Sequence, residues 1–157
     1  MLNKKTLIIL SLSGLIAACG GGGDTPAVPT AEPAGESMKD IGDHVVHFSA
    51  QSTDQLSPDV AKAYNIVRSK NRAMLTVSVL RESDNVSVPA DVTVKTVNLT
   101  GQLKNVTMRR IDEQDAVYYV GETAVANRET LIFDITVTPE GGTGPSEVRF
   151  KREFFTD

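Results

Sequence analysis

The stretch AMLTVSVL, residues Ala73–Leu80, decides the fold class of this chain. Leu75, Val77 and Val79 alternate with a threonine and a serine, so one face of the stretch is apolar and the other is polar. A period of two residues is typical of a β-strand with one buried face, because successive side chains point to opposite sides. The stretch therefore predicts a strand in a sheet that covers an apolar core.

The same alternation recurs from residue 44 to residue 157. It predicts further strands at His44–Ser49, Val92–Leu99, Leu103–Ile111, Ala116–Ala124, Leu131–Val137 and Val148–Phe154. Polar turns separate these strands at intervals of about 8–12 residues, which is typical of an antiparallel sandwich. We therefore predict an all-β, antiparallel immunoglobulin-like β-sandwich of about 6–7 strands, with a small open β-barrel as the alternative. The likeness to immunoglobulin domains is architectural, since the chain has no tryptophan and no cysteine pair.

Two local features of this pattern are informative. Apolar residues of the predicted strand Val92–Leu99 are two positions apart except between Val94 and Val97, which are three apart. This change of spacing predicts a β-bulge. One segment departs from the alternation altogether. A serine suited to an N-cap precedes Pro58, a residue favoured at the first helical position, so we predict one helical insert of about two turns. Its apolar face is expected to carry Val60, Ala63 and Tyr64.

The first 18 residues have the three parts of a secretory signal. Lys4 and Lys5 are positive, Leu7–Ile16 is apolar, and Ala17 and Ala18 are small. The apolar run is shorter than the roughly 20 residues that a spanning helix needs. Residues 1–18 are therefore predicted to be a signal peptide that is removed from the mature protein.

The end of this signal, Leu15–Cys19, resembles the bacterial lipobox, in which small residues precede a cysteine. Ile16 stands where leucine is commoner. The resemblance implies cleavage before Cys19, a diacylglycerol on its sulfur, and a further acyl chain such as palmitate on its amino group. Two or more chains anchor a protein stably in a lipid bilayer. Gly20 follows, instead of an aspartate that resembles an inner-membrane retention signal, which favours the outer membrane with the domain facing the periplasm.

Residues 19–38 are predicted to be the lipidated cysteine and a flexible tether. Four consecutive glycines and three prolines lie here among small polar residues, a composition that cannot bury enough surface to fold. Residues 39–157 are then one β-sandwich domain of ordinary size. Cys19 is the sole cysteine, so no disulfide can form within the fold.

Charge and motifs exclude several functions. The net charge is −4, and loss of Lys4 and Lys5 with the signal leaves 14 basic against 20 acidic residues, or −6. That balance argues against nucleic acid as a partner. No Gly-x-Ser-x-Gly nucleophile motif is present, and we predict no cofactor.

Residues Ala63–Arg72 and the following strand Met74–Leu80 carry a resemblance to a known family. Together with Gly42-Asp43 near the start of the domain and Val148–Phe150 near its end, they resemble small exported bacterial proteins of family 4426 of the domains of unknown function. The resemblance covers about three quarters of the chain. It implies one exported β domain and carries over no activity and no site residue.

The basic residues Arg68, Lys70 and Arg72 form the most distinctive cluster. If the segment is extended, its period of two places all three on one face. They are our candidate site for a carboxylate, a phosphate or an acidic partner loop. The alternative is a solvated or salt-bridged edge whose charges prevent edge-to-edge aggregation.

His44 and His47 are the only histidines of the chain. Three residues apart on a strand, they should face opposite sides, and we predict no shared metal site. Tyr118 and Tyr119 are adjacent on another predicted strand, so we expect one in the core and one exposed. A shared aromatic platform for a sugar is the alternative interpretation of the tyrosines.

Two hypotheses for function follow. The first is a lipid-anchored, non-catalytic binding or interaction module of the bacterial cell envelope, with an envelope protein as its partner. The second is a periplasmic enzyme or metal carrier that uses His44 or His47.

Overall fold

The computed structural model describes residues 37–157, in which two antiparallel β-sheets pack face to face. The strands are β1 (Met38–Asp40), β2 (His44–Ser52), β3 (Arg72–Arg81), β4 (Ala90–Asn98), β5 (Leu103–Lys104), β6 (Arg109–Glu113), β7 (Ala116–Ala124), β8 (Glu129–Pro139) and β9 (Ser146–Phe154). One sheet has the order β1-β2-β3-β7-β6 and the other β5-β4-β8-β9. The predicted antiparallel β-sandwich is confirmed, and the described chain does not close into a barrel.

The alternation seen in the sequence builds the core. Leu131, Phe133, Ile135 and Val137 of β8 are all at most 1% exposed, while the residues between them are half-buried on the other face. The rings of Phe133 and Phe150 lie in the same sheet with centroids 4.9 Å apart. Offset aromatic contacts of this kind add to the stabilisation that burial provides.

The two sheets meet through one of these rings. The centroid of Phe150, on β9, lies 4.8 Å from that of Phe48, on β2 of the opposite sheet. Leu75, Val77 and Val79 of the fold-deciding stretch are buried in the same cluster. The core is thus a single apolar layer between the inner faces of both sheets.

The helical insert forms at the predicted place as α1 (Pro58–Ala63), with a short 3-10 turn (Thr53–Gln55) before it. The amide of Val60 donates to the side-chain oxygen of Ser57, 3.3 Å away, which confirms the cap. The predicted apolar face is wrong for two of its three residues, because Val60 and Ala63 are exposed, and Ala61 is buried in their place. Tyr64 does pack against the sheet and is half-buried. A helix of six residues has too few turns to define a face by itself, so its contact with the sheet decides.

That contact is made on the outer face of the five-stranded sheet. Ala61 and Ile66 bury Met74 of β3 and Val120 of β7, forming a second apolar cluster. Consequently the strands β3 and β7 are covered on both faces at this end of the sheet. This explains why apolar residues occur in both phases of Ala116–Ala124.

The predicted bulge in β4 is wrong. Its register with β8 runs without interruption from Ala90 opposite Pro139 to Asn98 opposite Leu131. Thr96 occupies the inward position and is 1% exposed, while Val97 faces outward and is half-buried. The spacing of apolar residues changed in the sequence because a threonine, Thr96, occupies an inward position of a regular strand.

The predicted strand Leu103–Ile111 is also corrected, because it divides between the sheets. β5 pairs with β4 in one sheet and β6 pairs with β7 in the other. The intervening residues 105–108 cross between them and pass directly over Gly121. A Cβ atom at Gly121 would lie 2.6 Å from the sulfur of Met108 and 2.6 Å from a methyl carbon of Val106.

Predictions for residues 1–36 lie outside the described residues. These are the signal peptide, the lipidated Cys19 and nearly all of the tether. Met38 already belongs to β1, paired with His47 of β2. Within residues 37–157, no helix combines the length and the hydropathy that crossing a bilayer would require.

Candidate functional site

The basic segment Arg68–Arg72 lies between α1 and β3. Residues 66–69 have no regular secondary structure, residues 70 and 71 form a turn, and the strand begins at Arg72. The condition for placing Arg68, Lys70 and Arg72 on one strand face is therefore not met. All three are exposed.

Each of these cations contacts another part of the chain. A guanidinium nitrogen of Arg68 donates to the backbone oxygen of Asp54 at 2.7 Å, and Nζ of Lys70 donates to the backbone oxygen of Asp157 at 2.5 Å. Arg72 lies 3.5 Å from the carboxylate of Glu122. The three residues thus connect the segment to three different places in the fold.

Glu122 also forms an ion pair with a second arginine. Arg109 of β6 lies 3.8 Å from its carboxylate and donates to the backbone oxygen of Tyr64 at 2.7 Å. The carboxylate side chain is 18% exposed, so water screens these pairs only partly. This network holds the end of the helical insert against the sheet.

A buried threonine, Thr53, also holds the basic segment through hydrogen bonds to its backbone. Thr53 is 0% exposed, and its hydroxyl oxygen accepts from the amide of Ser69 at 2.9 Å. The hydroxyl is also within donating distance of the backbone oxygens of Val67, at 2.9 Å, and Ser69, at 3.1 Å. The loop that carries the basic residues is therefore held in one shape by a side chain that sequence reasoning did not select.

The two histidines face opposite sides of β2, as predicted. His44 is 4% exposed, and its Nδ1 lies 2.7 Å from the carboxylate of Asp43. His47 is half-buried on the outer face. No three His, Cys, Asp or Glu side chains within residues 37–157 come together in a way that could hold a metal ion.

His47 instead lines a shallow depression of about 400 Å³ on the outer face of the five-stranded sheet, which we call the His47 groove. Its lining residues are His47, Ser78, Leu80, Asn85, Ser87, Asp115, Ala116 and Tyr118. Strand register explains how they meet. His47 of β2 is opposite Ser78 of β3, which in turn is opposite Tyr118 of β7.

The floor of the groove follows from that row of three residues. Neighbouring strands are about 4.8 Å apart, so the imidazole and the phenol stand roughly 10 Å apart on either side of a small serine. Ser78 belongs to the polar phase of the fold-deciding stretch. Sequence reasoning considered His47 and Tyr118 separately, since the pairing of their strands was not available to it.

The tyrosines are divided as predicted. Tyr119 is 6% exposed in the core, and its hydroxyl oxygen accepts from the amide of Ala90 at 2.7 Å. Tyr118 is half-buried on the other face, where it lines the groove and packs against the second apolar cluster.

Comparison with known proteins agrees with this architecture. Residues 38–157 match the family described as Domain of unknown function (DUF4426). A crystal structure of a DUF4426 family protein from Pseudomonas aeruginosa PAO1 is similar to this chain, with 32% identity and a TM-score of 0.67, covering 78% of this chain and 97% of that one. No curated protein matches the chain.

The fold and these matches define a single antiparallel β-sandwich domain that follows an N-terminal segment. The chain belongs to the DUF4426 family. The resemblance of residues 42–157 to family 4426 is thereby confirmed.

Proposed function

We propose that this protein is a lipid-anchored, non-catalytic interaction module of the bacterial cell envelope. One observation carries the proposal. The sole cysteine, Cys19, directly follows two alanines at the end of an apolar run, and the sandwich begins only at Met38. Residues 20–37 are then a glycine- and proline-rich tether between an acylated residue and a folded domain.

The geometry of the first strand supports this arrangement. β1 is the edge strand of its sheet, so the first described strand lies at the border of the sandwich. An extended tether of 18 residues would reach roughly 50–60 Å at about 3.1 Å per residue. The lipid bilayer is the first partner, and Gly20 after the cysteine favours the periplasmic face of the outer membrane.

For the protein partner we propose an acidic surface that binds at the basic segment. Arg68 uses one of its five N–H groups within the described residues, and Lys70 uses one of three. The remaining donors are exposed and can bind carboxylates. Arg72 adds positive charge to this surface, and its ion pair with Glu122 also connects the start of β3 to β7.

The anchor is tested by replacing its sulfur. We expect Cys19→Ala to abolish incorporation of labelled palmitate, because the thioether cannot form, and to abolish signal removal by the lipoprotein route. The native chain should take up the label and sediment with outer membranes after the cells are broken. Equal labelling of both chains would contradict the proposal.

The partner surface is tested by crosslinking in intact cells. A photoreactive residue placed at Val67, which is 67% exposed, should capture a protein in the native background. Arg68→Ala with Lys70→Ala should reduce that capture, whereas Lys151→Ala with Arg152→Ala, exposed on β9, should not. Equal capture by all three proteins would show that the basic segment does not bind the partner.

A further inference from the structure

Five of the six polar side chains that line the His47 groove share one property. Within residues 37–157, none of the following makes a side-chain hydrogen bond to the protein: His47, Ser78, Asn85, Asp115 and Tyr118. The buried side-chain polar atoms that lack a partner lie elsewhere, on Asp54 and Thr96. The polar atoms of the groove are therefore accessible to water or to a ligand.

Backbone pairing and one side-chain hydrogen bond hold the floor and one wall of the groove. Its floor is the paired row of β2, β3 and β7, and Leu80 forms an isolated β-bridge with Ser87 in the wall. The hydroxyl oxygen of Ser87 accepts from the amide of Val117 at 2.9 Å, which joins that wall to β7. Its hydroxyl proton is directed by no other contact, so it can be donated outward. A site of this kind does not have to order itself before binding.

The chemistry of the lining selects a class of ligand. Hydroxyls, an amide, an imidazole and one carboxylate offer both donors and acceptors at short spacing, beside one aromatic ring. No lysine or arginine is among the lining residues, so an anion would meet no opposite charge. A cationic amine would meet a single exposed carboxylate, Asp115, which is worth little in water.

We propose that the His47 groove binds a neutral sugar ring of a glycan. The ring lies across Ser78 between His47 and Tyr118, with its hydroxyl groups bonded to Asp115, Asn85 and the hydroxyl of Tyr118. The width of two strand spacings, roughly 10 Å, accommodates one pyranose ring. This inference concerns a different surface from the basic segment, and it does not depend on the lipid anchor.

Binding is tested with the full chain, isotope-labelled and purified in a detergent that has no sugar headgroup. Tri-N-acetylchitotriose and maltotriose are titrated separately, and chemical shifts of the backbone amides are followed. We expect saturable shifts at the groove residues with at least one trisaccharide, with a Kd of about 1 mM because the site is shallow. Inorganic phosphate and putrescine serve as the charged probes and should produce no saturable shift in the groove.

Three conservative variants locate the site. Tyr118→Phe and Asp115→Asn each change one polar group, and Ser78→Val fills the floor with methyl groups. Removing the hydroxyl of Tyr118 or the charge of Asp115 should weaken binding about fivefold, and filling the floor should weaken it by more. The matched controls Asp91→Asn and Thr93→Val, exposed on β4 of the other sheet, should bind as the native chain does.

Each outcome decides the proposal. Saturable shifts in the groove that the three variants weaken and the controls preserve would support it, provided the spectra of the variants retain the native pattern elsewhere. No saturable shift with either trisaccharide would overturn it, as would shifts at another surface. Saturable binding of phosphate or putrescine in the groove in place of a sugar would overturn it as well.

Discussion

The backbone amide of Ala90 donates a hydrogen bond of 2.7 Å to the hydroxyl oxygen of Tyr119. Tyr119 belongs to β7 in the five-stranded sheet, and Ala90 opens β4 in the four-stranded sheet. A single side chain thus fills the core with its ring and joins the two sheets with its hydroxyl. The bond is partly buried, so an amide that loses this acceptor bears part of the cost of leaving water.

Removing that hydroxyl should therefore destabilise the domain. We expect Tyr119→Phe to lower the free energy of unfolding by about 1–2 kcal/mol, measured by urea denaturation. Tyr118→Phe is the matched control, since the Tyr118 hydroxyl makes no hydrogen bond to residues 37–157, and it should change stability by less than about 0.5 kcal/mol. Equal effects of the two substitutions would show that the Ala90 contact contributes nothing.

Thr96 presents the opposite case, a buried hydroxyl whose removal should help. Its side chain is 1% exposed, and its oxygen has no hydrogen-bond partner among the described residues. Thr96→Val keeps the shape and removes the polar atom, so we expect a gain of about 1 kcal/mol in the free energy of unfolding. Thr93→Val on the exposed face of the same strand should be nearly neutral. A loss of stability in Thr96→Val would contradict this account.

The crossing of residues 105–108 over Gly121 depends on the absence of a side chain. We expect Gly121→Ala to cost about 1–3 kcal/mol of stability, because the new methyl group would overlap atoms of Val106 and Met108. Adding Val106→Ala opens space on one side. The double variant should then be less destabilised than the sum of the two single variants by about 0.5 kcal/mol or more. Simple additivity in thermal unfolding would show that the segment does not pack as described.

A charged network holds the end of the four-stranded sheet. The carboxylate of Glu129 lies 2.7 Å from Nζ of Lys104 and accepts from the side chain of Asn98 and the amide of Ala126, each at 2.9 Å. Burial by itself would raise the pKa of Glu129. The hydrogen bonds from Lys104, Asn98 and Ala126 outweigh it and, with the charge of Lys104, hold the pKa below its ordinary value of 4.5.

The lowered pKa of Glu129 makes the stability of the fold depend on pH. A carboxyl group whose pKa is lowered by folding contributes stability that is present above pH 4.5 and is lost as the pH falls through the folded pKa. We expect Glu129→Gln to be less stable than the native chain at pH 7, with the difference in urea midpoint shrinking towards pH 3. A difference that stays constant between pH 7 and pH 3 would show that the charge of Glu129 is not what stabilises the fold.

Much of this architecture could be predicted because the alternation of apolar and polar residues within one strand shows which of its faces is buried. In Leu131–Val137 and in Leu75–Val79 the period of two coincides with one buried and one more accessible face, so the sequence pattern and the structure agree. The N-cap Ser57 was likewise recognisable, since the hydrogen bond that defines it is local. Local chemistry and periodicity were sufficient for these elements.

The errors arose where burial is decided by a distant element. Ala61 is buried because the sheet lies beneath it, and nothing in six helical residues specifies which side that will be. Thr96 resembles a surface residue yet occupies a core position. Between β5 and β6 the chain crosses closely over Gly121, a residue of another strand.

The candidate sites show the same division. Arg68, Lys70 and Arg72 are adjacent in sequence and could be selected directly, although their backbone is not the extended strand that was assumed. The His47 groove could not be found from the sequence, because its floor depends on the register of three strands. Pairing partners far apart in the chain are specified by the whole fold.

The lipid anchor is the central claim, and the intact mass of the mature protein tests it most directly. The full-length chain is expressed in a bacterial host, extracted from membranes with detergent, and analysed by mass spectrometry. We predict a polypeptide that begins at Cys19 and carries the added mass of a diacylglycerol and a further acyl chain, all on its first residue. A mature chain that begins at another residue, or that carries Cys19 as an unmodified thiol, would contradict the account.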